Sequence, residues 1–324
     1  MKQLQDLKWQ PRSNEHMGCV KGCLDYLGVD ISFPWLYGGT GQAFVLNMND
    51  SVFVDCALAW DSQVLFDLGS NLGWTVDWVF LDHAIAKDMP ANQFLEKQRE
   101  AWDFARAKID QGLPCYGWEL AHIPAYYVIN GYDDVGYYYS GWMSGGPCPW
   151  QKIGTFDVVS VQVLCVQPCE PATDELVVKD ALTMVLERVE RPDGWAISPM
   201  YRTGLAGYDL WAEALETGRA NRDGQAYMSQ VWLECREMAV EFLKEAKERL
   251  PGRCNSAFDE AASHYAVVRD ELRALLEMHP DRGPDKWDWQ TTFASPEGAT
   301  LVREAGAAER KGVDSLRRIV DMLS

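Results

Sequence analysis

The composition of the chain changes at Cys169-Glu170-Pro171, and that break limits the folds open to it. Upstream, short apolar runs at 115–120, 125–130, 137–140 and 158–166 are separated by Gly, Pro, Asn and Asp signals, the pattern of strands and turns. Gly131-Tyr132-Asp133-Asp134-Val135-Gly136 reads as the hairpin loop between the second and third. Two helical segments, 63–72 and 91–111, precede these strands. Downstream, strand signals stop, and 175–190, 205–219, 225–250, 258–278 and 297–323 carry a helical period. Val231, Cys235, Met238, Phe242, Ala246 and Leu250 step by three or four, as do Tyr265, Val268, Leu272 and Leu275. The pattern predicts an α+β domain over residues 1–170 and an all-α helical bundle over residues 171–324. A chain of 324 residues is long enough to bury two cores.

The sharpest local signal in the first half is the stretch 13–28, SNEHMGCVKGCLDYLG. Ser13 or Asn14 supplies an N-cap, Val20, Leu24 and Leu27 an apolar stripe, and Gly28 a stop. Cys19 and Cys23, four apart, share a helix face. A cysteine in the first turn of a helix feels the positive end of the dipole, which lowers its pKa and suits a nucleophile. The alternative is that both thiols are small core hydrophobes. Further on, Leu36-Tyr37-Gly38-Gly39-Thr40-Gly41 reads as a glycine-rich turn before a strand-like 43–46. It lacks the lysine of a P-loop and the full dinucleotide fingerprint. Glu119 sits in an apolar strand, either facing solvent or facing a tryptophan-rich cleft where burial would make it a general acid or base. His122 follows in a loop before Pro124.

Charge and cysteine usage exclude several classes. The net charge is −18, with 10 Lys and Arg against 20 Asp and Glu in residues 1–170 and 20 against 28 in residues 171–324. Both halves would repel a phosphate backbone or an anionic membrane, so neither nucleic acid nor membrane is an expected partner. No apolar run reaches membrane-spanning length, and the first residues lack the apolar core of a signal peptide. Nine scattered cysteines, an odd number, point to reduced thiols and a cytoplasmic location. His16-x2-Cys19-x3-Cys23 lacks the second tight pair of a structural zinc site, so no metal or other cofactor is expected.

Tyr26-Leu27-Gly28, Gly38-Gly39-Thr40-Gly41 and Tyr127-Val128-Ile129-Asn130-Gly131-Tyr132-Asp133 follow one another in an order that resembles the papain-like thiol fold. The resemblance covers roughly residues 10–168 and extends to bacteriocin leader peptidases and, more closely, to the N-terminal domain of the butirosin-biosynthesis acyltransferase. In that family a cysteine opens the first helix, an upstream glutamine helps hold the oxyanion, a histidine opens the Tyr-Val-Ile strand, and an acidic residue ends the next strand. An ungapped alignment carries these positions onto Glu15, Gln10, Tyr126 and Ser140, so only the glutamine is kept. The resemblance therefore implies a degenerate thiol-enzyme fold that binds a small amide, acyl or peptide ligand, its cleft lined by Gln10, Glu15, His16, Cys19, Glu119, Tyr126 and Ser140. Glu15 and Tyr126 are expected to face each other across it. One alternative is an active cysteine acyltransferase or amide hydrolase in which the helix is shorter by a turn, Cys19 is the nucleophile and His122 or His16 the base. Another is a structural partner in a biosynthetic or peptide-maturation assembly, pairing with itself or a pathway partner through the helical half.

Overall fold

The computed structural model describes residues 1–59, 62–191, 198–283 and 286–324. In chain order the first elements are β1 (Lys2–Gln3), α1 (Glu15–Leu27), α2 (Phe33–Gly39), β2 (Asn47–Met48) and α3 (Gln63–Asn71). Next come β3 (Trp74–Leu81), α4 (His83–Ala86), α5 (Ala91–Asp110), β4 (Cys115–Trp118) and β5 (Tyr126–Tyr132). They are followed by β6 (Gly136–Ser140), β7 (Gly145–Pro149), β8 (Val161–Pro168) and α6 (Asp174–Glu190). The remainder is β9 (Arg202–Thr203), α7 (Leu205–Thr217), β10 (Ala220–Asn221), α8 (Arg222–Arg249), α9 (Asn255–Met278), β11 (Thr292–Phe293) and α10 (Pro296–Leu323). The protein is mixed α/β, an antiparallel sheet and a helical part. Among the described residues no helix is long and apolar enough to cross a membrane.

Two compact units divide the chain, one of Met1–Ile31 with Gly73–Pro171 and one of Ser32–Leu72 with Ala172–Ser324. The first holds a seven-stranded sheet in the order β3-β8-β4-β5-β6-β7, with β1 paired to the far end of β5. All its pairings are antiparallel. Successive side chains point to opposite faces and paired residues share one. One face therefore carries Trp78 and Phe80 of β3, Leu164 and Gln162 of β8, Tyr116 and Trp118 of β4, and Tyr126 and Val128 of β5. α1 lies on this face, with His16 against Tyr116 and Tyr126. α5 lies on the other, with Trp102 edge-on to Tyr132 and Tyr137 and Lys108 bonded to Asp77 at 2.6 Å. Gly18 gives α1 its close neighbour: a Cβ there would stand 2.3 Å from the carbonyl of Gln10, whose own N–H donates to Gly18 O.

The second unit is helical. α8 packs on α9, α10 on α9 and on α7. At its centre Arg236 of α8, wholly buried, makes a two-pronged pair with Glu309 of α10 at 2.8 and 2.7 Å. The remaining guanidinium nitrogen donates to the carbonyls of Ala43 and Val45, and Tyr208 donates to Glu309 at 2.6 Å.

Here the structure departs from the sequence expectation. Residues 32–72 belong to the helical unit rather than to residues 1–170. Gly38 and Gly39 lie inside α2 rather than in a turn, and Gln42–Phe44 is a 3-10 turn rather than a strand. The reason is Phe242 of α8: a Cβ on Gly38 would stand 1.9 Å from its ring, so only glycine lets the two helices meet.

Candidate functional site

α1 starts where the capping signals placed it. Asn14 is the N-cap, its side chain accepting from Met17 N at 3.3 Å, and Gly28 closes the helix in the left-handed conformation with φ 72°. Glu15 and His16 are thus the first two residues of the helix, both buried. Cys19 lies a full turn inside, beyond the dipole's positive end, at 0% exposure. Cys23 is equally buried. Burial pushes the Cys19 thiol well above its ordinary range, with Cys23 and Glu15 adding to the effect, and it does the same to Cys23. Of the two readings of these thiols, burial thus supports small core hydrophobes over an activated first-turn cysteine, since desolvation disfavours the thiolate.

His16 is held by tyrosines. Its Nε2 lies 2.9 Å from the Tyr116 hydroxyl, and its ring stacks on Tyr126 with centroids 4.5 Å apart. Burial holds its pKa down to about 4, so the imidazole is neutral at pH 7. Tyr126 stands edge-on to Trp118 at 5.0 Å, and its hydroxyl donates to Gln162 Oε1 at 2.6 Å. The Tyr126 hydroxyl, expected to face Glu15, thus donates to Gln162 instead. Glu15 is still felt at Tyr126, whose pKa is raised by burial first and then by Glu15 and Cys19.

The other expected site residues are placed elsewhere. Gln10 donates to Asp25 Oδ2 at 2.9 Å in an exposed position, so its side chain is engaged away from the buried start of α1. Ser140 sits on the face of α1, across from Val128, and its hydroxyl accepts from Trp9 N at 3.4 Å. Glu119 falls just beyond β4 with φ 54° and is fully buried. Its carboxylate accepts from the N–H groups of Phe156 at 3.2 Å and Val158 at 2.5 Å, so it fastens the 156–158 loop. Burial raises its pKa, and those backbone donors oppose the rise. His122 is exposed and borders a cleft of about 270 Å³ with Tyr139, Cys148, Pro147 and Phe156. Among the described residues no three His, Cys, Asp or Glu side chains are grouped to hold a metal ion.

The site that emerges is the start of α1 laid on a strip of one sheet face: His16, Tyr116, Tyr126, Trp118 and Gln162. Tyr116, Trp118 and Gln162 carried signals that went unused. Tyr116 and Trp118 alternate on one strand, and Gln162 is the lone amide in the apolar run 158–166. The chain matches none of the family models and none of the curated proteins with which it was compared.

This burial sets a clear expectation for thiol chemistry. Iodoacetamide at neutral pH is expected to label exposed Cys169 at least about 100-fold faster than Cys19 or Cys23, which become reactive only on unfolding. A labelling time course resolved by peptide mass spectrometry reads this directly. Preferential labelling of Cys19 at substoichiometric reagent would reverse the assignment.

Proposed function

We propose that this protein is a papain-like fold without a working thiol, which binds a small acyl, amide or peptide ligand non-covalently at the start of α1. The observation that carries the reading is the surroundings of Tyr126, the residue that the resemblance aligns with the base. It is stacked on a neutral His16 and hydrogen-bonded to Gln162, in a cluster of groups suited to orienting a polar ligand head. Nucleophilic catalysis needs a thiolate, and Cys19 is buried inside the helix with its pKa raised. A tyrosine whose pKa is pushed further up is a poor base at neutral pH. The motif order of residues 10–168 supports the papain-like reading.

The test is covalent trapping. Incubation with an octanoyl thioester, followed by intact-mass and peptide mass spectrometry, is expected to give no acyl adduct at Cys19. A stoichiometric adduct at Cys19, absent in Cys19→Ala, would overturn the proposal and favour a cysteine acyltransferase or amide hydrolase.

A further inference from the structure

The strip of sheet that holds Tyr126 continues to the β3 edge and changes character on the way. Tyr126 is paired with Trp118, and Phe80 with Gln162. Carrying the β8–β4 register one residue past Gly117↔Val163 sets Trp118 beside Gln162. The row thus runs Tyr126, Trp118, Gln162, Phe80, with Trp78 next to Phe80 on the same face. Its inner members are covered: Tyr126 and Trp118 are 8% and 4% exposed. Its outer members are not: Phe80 is 47% and Trp78 42% exposed. Two large, partly exposed aromatics beside a buried polar cluster offer apolar surface that a ligand could cover.

The polar chemistry of the row is one-sided. The Nε1–H of Trp118 is buried and has no hydrogen-bond partner among the described residues. An unmade hydrogen bond of this kind is costly, and an acceptor brought by a ligand would remove the cost. Gln162 spends its amide oxygen on Tyr126, which leaves its Nε2 group as a donor. Both groups call for an acceptor. No Lys or Arg belongs to the row, His16 is neutral, and Glu15 is close enough to act on Tyr126, so the setting does not favour an anion.

We propose that Phe80, Gln162 and Trp118 form the acyl-recognition part of the ligand site, taking a neutral acyl carbonyl at the donors and laying its alkyl chain over Phe80 and Trp78. This rests on the non-covalent binding function proposed above and narrows its ligand to an acyl amide or ester. From Trp118 to Phe80 the row crosses two strand spacings, about 10 Å, the reach of a medium-length alkyl chain.

N-methyloctanamide is the probe, with octanoate as its charged counterpart. Titration of protein carrying ¹⁵N-labelled tryptophan is expected to shift one indole N–H resonance, identified by its loss in Trp118→Phe. Phe80→Ala, a surface change that spares the fold, should weaken binding about tenfold, and octanoate should bind at least about tenfold more weakly than the amide. Equal affinity for octanoate and the amide would overturn the proposal. So would an extended peptide that slows hydrogen exchange along Trp74–Leu81 while the amide leaves every indole signal in place, because the β3 edge would then be pairing with a strand. Amide binding that perturbs His16 yet ignores Phe80→Ala would overturn the acyl strip and leave the binding cleft standing. Acylation of Cys19 by the thioester would end the cleft reading itself, whatever Phe80→Ala does.

Discussion

Glu309→Gln is expected to destabilise the helical unit by about 3–5 kcal/mol, the cost of stranding a buried charge. Arg236 is wholly buried, and among the described residues the carboxylate that neutralises its guanidinium is that of Glu309, across the two hydrogen bonds between α8 and α10. Burial works against the Arg236 charge, and Glu309 more than offsets it, which raises the arginine's pKa. The amide is nearly isosteric, so the loss would reflect charge rather than a cavity. Urea unfolding followed by helical circular dichroism should show a lower midpoint with little change in slope. Arg236→Met combined with Glu309→Leu should recover only part of the loss, since it removes the stranded charge but leaves the Ala43 and Val45 carbonyls and the Tyr208 hydroxyl without these partners. A loss below about 1 kcal/mol in the single variant would mean that water reaches the pair in the folded protein.

Acid should unfold the sheet unit partly through one histidine. The folded-state pKa of His16 is about 4, below its ordinary 6.5, so the unfolded chain takes up the proton first as pH falls. The stability that the neutral buried ring contributes is complete above about pH 6.5 and is lost progressively as pH drops toward about 4. Over that window the loss comes to roughly 3 kcal/mol. Burial pushes the carboxyl of Glu119, in the same unit, upward, which acts in the opposite sense, so the informative quantity is a difference between variants. Unfolding free energies at pH 7 and pH 4.5 should diverge far more in the parent than in His16→Phe. Parallel pH profiles for the two proteins would show that His16 is protonated without penalty in the folded state.

The parts of this fold legible in the sequence are those specified locally. α1 carries its cap, stripe and stop within sixteen residues, and Asn14 and Gly28 do what those residue types do elsewhere. Tyr265, Val268, Leu272 and Leu275 are all buried on α9, as a helical stripe requires. Gly38 and Gly39 read as a turn because what they accommodate, the ring of Phe242 at Gly38 and the Leu72 and Val177 side chains at Gly39, is not local to the motif. β3 went unread because Trp78 and Phe80, exposed aromatics on an edge strand, break the alternation of apolar and polar residues. The site shows the same division. The expected cleft lining included Glu15, His16 and Tyr126; in the structure His16 stacks on Tyr126, and Glu15, beside His16 at the start of α1, acts on the Tyr126 pKa. The hydrogen-bond partner of Tyr126 is Gln162, which only strand register could supply. Glu119 and Gln10 went to other partners because a buried carboxylate and a surface amide take the nearest suitable groups, here the N–H groups of the 156–158 loop and Asp25.

The interleaving of the two units bears on how the chain is made. Residues 32–72 leave the ribosome well before their partners: the α8 ring that seats Gly38 follows about 170 residues after Leu72. At translation rates of about 5–20 residues per second, that leaves an interval on the order of 10–35 s. Throughout it, Trp35, Leu36, Phe44, Val45 and Leu46, all buried in the finished protein, have no completed core to enter. The nascent chain thus carries an apolar segment through that interval, a natural substrate for a ribosome-associated chaperone.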